Sequence, residues 1–266
     1  QILGWGIGMG LMMAMMILIF PAVQETYRDA QLPESLLAFF GGEGMSMAEP
    51  ASFLNIEFFS YMPIALAVFA ILFGTGALAG EENAGTMELL LSAPVTRTRI
   101  VAVKAIALGV ALALMLSIVM IFYWVSAPMV SFGVPSQTVL AALGLLWLFE
   151  LGIAYLSMLF ALFFPGRALA GSVLALLVVG SYIVDSMANI APALESVRPL
   201  CITAYFQGSN ALEGNVSLPY LAGNLALVLL PLLATFALFQ RRDIIARRPI
   251  GLKRLLRLHR PVVNEL

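Results

Sequence analysis

Six stretches of this chain are apolar over span-length runs, roughly residues 2–22, 60–80, 100–126, 138–165, 168–190 and 219–240, and runs of that length have few ways to fold. A hydrocarbon core about 30 Å thick is crossed by about 20 helical residues, each rising about 1.5 Å. Only a helix or a closed barrel satisfies its backbone hydrogen bonds in that medium. An aqueous fold is no alternative, because charged residues are 11% and hydrophobic residues 61% of the chain, against about 25% charged in soluble domains. The runs therefore predict an all-α polytopic membrane protein with six transmembrane helices. The third and fourth are longer than a span requires, so they tilt or project from the bilayer.

Basic residues set the orientation, since they concentrate on the cytoplasmic side. Arg97, Arg99 and Lys104 lie at the second-to-third connection, and Arg167 sits in the turn after the fourth run. Arg241, Arg242, Arg247, Arg248, Lys253, Arg254, Arg257 and Arg260 follow the sixth. The other side holds only Arg28 and Arg198, among eight carboxylates from Glu25 to Glu213. Both termini are thus expected in the cytoplasm, a parity that six spans satisfy. The division expected is a permease domain over residues 1–240 and a basic cytoplasmic tail over 241–266, with external loops at about 23–59 and 191–218. Within the tail, residues 251–260 have the pattern of a basic amphipathic helix suited to an anionic leaflet. The chain is apolar almost from Gln1, and a cytoplasmic segment is expected to precede it. One cysteine, Cys201, and one histidine, His259, leave no intrachain disulfide, no cysteine metal cluster and no serine–histidine dyad within the membrane.

The polar residues are unevenly spent. Glu81, Glu82, Glu88, Arg97 and Arg99 fall in one short insert between the second and third runs. Gly85-Thr86 offers a helix start with Thr86 as cap, and Met87-Glu88-Leu89-Leu90-Leu91 continues it. Pro94 breaks the helix by disfavouring helical geometry in its predecessor. Thr96 is a second cap, at the start of the third span. The acids precede the bases, in the sense that complements a helix dipole. A short interfacial helix with a fixed elbow is the expected product, over about 81–99.

This pattern, acidic–Gly-Thr–x-Glu-Leu-Leu-Leu-Ser-x-Pro-Val-x-Arg-x-Arg-Ile, resembles the coupling region of ABC-2-type permeases, the membrane subunits of ATP-driven exporters. Phe239-Gln240-Arg241-Arg242-Asp243-Ile244 is similar to the ending common in that family. The resemblance implies a type V exporter-like fold, a place in the plasma (inner) membrane, and a coupling element that contacts a separate ATP-binding subunit. Carried over, that element is Glu81, Glu82, Gly85, Thr86, Glu88, Leu89, Leu90, Ser92, Pro94, Arg97 and Arg99. It also implies two ATP-binding subunits and a second permease, identical or related. The chain has no Gly-x-x-x-x-Gly-Lys-Ser/Thr loop to cradle phosphates. ATP and magnesium are therefore expected in the partner, with no cofactor and no catalytic or metal-binding residue here. Nothing in the charge pattern suits nucleic acid.

Two intramembrane features remain. Glu150 falls mid-way along the fourth run, where a carboxylate costs about 2.5–3.5 kcal/mol and belongs against protein or water. It is either a lining group of a polar or cationic path or a hydrogen-bonded helix contact. Tyr182, Asp185 and Asn189 share a face near the external end of the fifth run, with Ser181 beside them. They suit either the outer part of a translocation route or a hydrated helix end. Met9, Met12, Met13 and Met16 form a stripe suited to flexible packing or to soft Cu(I). Gly4, Gly6, Gly8 and Gly10 have small-xxx-small spacing, within one subunit or between two. The alternatives to an ATP-driven permease are an ion-coupled secondary transporter and a non-transport membrane or immunity subunit of an ABC complex.

Overall fold

The computed structural model describes residues 1–28, 33–39, 46–80, 96–206 and 208–241, and among these every regular element is helical. The helices are α1 (Ile2–Arg28), α2 (Glu34–Phe39), α3 (Pro50–Leu54), α4 (Met62–Thr75), α5 (Arg97–Ser126), α6 (Ser136–Phe163), α7 (Arg167–Ala188), α8 (Gly208–Leu212) and α9 (Leu218–Arg241). Six helical segments are long and apolar enough to cross a membrane. Residues 81–95 and 242–266 lie outside the described residues, and with them the amphipathic tail and most of the coupling insert.

The second span starts earlier than its hydropathy suggests. Helix α3 opens with Pro50 at its first position, where a missing N–H costs nothing. A π-helical turn, Asn55–Phe59, joins it toward α4, so Pro50–Leu78 forms one candidate span. Asn55 and Glu57 lower the local hydropathy, yet Phe53, Leu54, Phe58 and Phe59 on the same turns are buried. With α1 also running on to Arg28, the connection between the first two spans is shorter than residues 23–59. The third span has the opposite surplus. Arg97–Val130 covers 34 residues, about 50 Å of helix against about 30 Å of hydrocarbon, so its basic first turns lie outside the core.

Helix α6 is the hub. It packs on α4, α5, α7, α8 and α9, and more of it is buried than of any other span. Small residues set these approaches. A side chain on Gly74 of α4 would strike the Ala154 carbonyl and Ser157 Cβ of α6, and one on Gly152 of α6 would lie 2.7 Å from Leu227 Cγ of α9. Two side chains of α6 also reach the α5 backbone: Trp147 Nε1 donates to the Gly109 carbonyl at 2.9 Å and the Tyr155 hydroxyl to the Ala105 carbonyl at 3.2 Å. Such bonds contribute about 0.6–2 kcal/mol each between membrane helices.

On α1 the glycines divide. Gly6 and Gly10 face α5, where added side chains would meet Ile118 and Phe122; Gly4 and Gly8 have open space. The methionines follow the same logic, with Met9 and Met13 buried in the core and Met12 and Met16 packed against it.

Candidate functional site

The described part of the coupling region is the start of α5. Thr96 is extended, and its hydroxyl accepts the Arg99 backbone N–H at 3.3 Å, so it is the cap that its sequence position predicts. This cap turns the chain directly into the third span. Arg97, one residue on, donates through Nη1 to the carbonyls of Phe239 at 3.3 Å and Gln240 at 3.5 Å. Gln240 answers by donating Nε2 to the Thr98 hydroxyl at 3.0 Å. These carbonyls lie in the last described turn of α9. The guanidinium thereby adds charge-assisted bonds between the start of α5 and the α9 backbone. Phe239 is fully buried beneath the junction.

The first turn of α5 and the last turn of α9 are thus one mechanical unit. Sequence reasoning had both halves, the Arg-x-Arg after the insert and the Phe-Gln-Arg-Arg ending, without their contact. The signal was an arginine beside a helix start and a glutamine at a helix end, 143 positions apart. Of the predicted coupling residues, Arg97 and Arg99 are placed here. Glu81, Glu82, Gly85, Thr86, Glu88, Leu89, Leu90, Ser92 and Pro94 lie outside the described residues.

Glu150 lies on α6 and is completely buried, and neither carboxylate oxygen has a hydrogen-bond partner among the described residues. Its face also carries Ala154 and Ser157, four and seven positions on, which meet Gly74. Glu150 is therefore directed toward α4, inside the bundle. The Ser157 hydroxyl donates to the Ile153 carbonyl and the Tyr155 hydroxyl to that of Ala105, so neither serves Glu150.

Tyr182, Asp185 and Asn189 occupy the C-terminal end of α7, apart from Glu150. Asp185 pairs with Arg198 at 3.0 Å. The Ser181 hydroxyl lies 3.2 Å from that of Thr203 and accepts the Thr203 N–H at 3.1 Å. Asn189 is the C-cap residue. This polar face holds the segment that follows α7. The segment then turns inward: the Tyr205 ring lies on Gly223 of α9, Asn224 Nδ2 donates to the Tyr205 carbonyl at 3.0 Å, and Phe206 packs 5.9 Å from Phe149. Phe149 is half-way along α6, so the segment enters the bundle under protein cover. The structure thus assembles two separate polar centres, one buried at Glu150 and one at the C-terminal end of α7 around Asp185.

No curated protein matches the chain. The model of the ABC-2 family transporter protein matches residues 3–244, which takes in all six candidate spans and both sides of the Arg97–Phe239 junction. The chain is a multi-pass membrane protein, and it belongs to the ABC-2 family of transporter permeases.

Proposed function

We propose that this chain is the permease subunit of an ATP-driven exporter in the plasma membrane, working as a dimer with itself or a related permease. Two separate ATP-binding subunits, carrying ATP and magnesium, dock on the insert before Thr96. This chain lacks a phosphate-cradling loop, so its own part is mechanical. The observation that carries the reading is the Arg97 clamp: a push on the insert reaches α5 through the Thr96 elbow and α9 through Phe239 and Gln240. Two spans move together, which is what a reorientation driven by differential contacts requires. Clustering of the basic residues puts this junction and both termini in the cytoplasm. Asp185 and its neighbours then lie at the outer surface, beside the route a substrate leaves by.

Co-purification with an ATP-binding subunit, followed by an ATPase assay, tests this directly. A stoichiometric partner is expected, and Glu88→Arg is expected to lose it while leaving membrane insertion intact. Recovery of the chain without any nucleotide-dependent partner favours an ion-coupled transporter built on the Glu150 carboxylate.

A further inference from the structure

A cleft of about 600 Å³ runs between α4 and α7 and opens on the outside of the bundle. Its walls are apolar apart from Thr75, Ser172 and Arg167, and the Thr75 hydroxyl is already spent on the Ile71 carbonyl at 2.6 Å. Along α4 the cleft extends from Thr75 to Ile64, and along α7 from Arg167 to Val179. At about 1.5 Å per residue these lengths are about 16 and 18 Å. Half of a hydrocarbon core is about 15 Å. A partner helix would need a groove about twice as long, whereas one leaflet's acyl chain fits the depth.

The head end of the cleft is occupied by Arg167. Gly76 leaves the bed on which the guanidinium rests, since a Cβ there would stand 3.3 Å from Arg167 Cζ. Nη2 donates to the Leu72 carbonyl at 2.8 Å, which fixes the side chain across the cleft mouth. Arg167 makes no ion pair among the described residues, and a guanidinium has five N–H donors. A fixed cation above a groove one leaflet deep is complementary to a lipid with an anionic head.

We infer that the α4–α7 cleft binds one anionic phospholipid of the leaflet in which α7 begins, with its phosphate on Arg167 and an acyl chain between Leu72 and Ala175. The site does not depend on which way round the chain sits. Its occupant ties α7, among the least buried of the spans, to α4 through a shared lipid.

Native mass spectrometry of the full chain in detergent tests this with phosphatidylglycerol and phosphatidylcholine of identical acyl chains. One retained phosphatidylglycerol is expected, held about fivefold tighter than phosphatidylcholine, the contribution of one basic side chain facing an anionic lipid. R167A should abolish the preference and R167K should keep it, with helical circular dichroism unchanged in both. Filling the groove with A175F should reduce retention of both lipids. Equal binding of the two lipids by the native chain, a preference that survives R167A, or a preference lost in R167K overturns the site. So does a lipid-free dimer that A175F splits into monomers, because a second copy would then cover the cleft.

Discussion

Both oxygens of Glu150 are sealed from solvent without a donor among the described residues. A buried acceptor left unsatisfied costs about 1–3 kcal/mol. Glu150→Met, close in volume and without the acceptors, is therefore expected to stabilise the purified protein by about 1 kcal/mol. Thermal unfolding in detergent measures this, and a fall in Tm would show that the carboxylate has a partner in the working protein. The position of Glu150 mid-way along an apolar run was legible in the sequence. That it lies on the face of α6 that packs against α4 was not, because helical phase alone does not say which neighbour stands on which side. The glycines of α1 make the same point. Their spacing is plain in the sequence, yet Gly6 and Gly10 are closed by α5 while Gly4 and Gly8 stay open.

Among the elements, the segment between α7 and α9 is held by specific polar contacts that hydropathy does not reveal. Pro192–Leu200 is a 3-10 stretch without a buried residue, while Cys201, Thr203 and Ala204 after it are buried. The change from exposed to buried comes where Arg198 and Thr203 meet the polar face of α7. Burial pushes the Cys201 thiol up, and the Asp185 charge pushes it further. Maleimide labelling of this single cysteine should accordingly be slow. It should accelerate with pH along a curve displaced to the alkaline side of a free cysteine, about 8.5, because the thiolate is the reactive form. Asp185→Ala removes the ion pair and the nearby negative charge together, so several-fold faster labelling is expected. An unchanged rate would mean that the Ser181–Thr203 contacts alone hold the segment. Ser181, Asp185 and Asn189 were recognisable as one face from their spacing. The partner of Asp185, Arg198, was not, since residues 186–197 between them carry no periodicity that fixes the return path.

The bundle as a whole is organised around α6, with α7 and α9 the least covered by other helices. Its orientation is checked by introducing single cysteines into a Cys201→Ala background. Glu195→Cys should react with an impermeant reagent in intact cells, and Pro165→Cys only after permeabilisation. The reverse pattern would invert the topology and detach the Arg97 junction from any cytoplasmic partner. The number of spans, the helical class and the polar insert were determined by the sequence by itself, because the cost of backbone and charge in hydrocarbon acts on each segment separately. Tertiary structure alone decided that Arg97 closes on Phe239 and Gln240, that Glu150 is walled in against α4, and that Arg167 stands over a cleft one leaflet deep. Each of these depends on which helices lie side by side. In a bilayer that choice is made by close packing of small residues and by single hydrogen bonds, and a hydropathy pattern that makes every span apolar does not carry it.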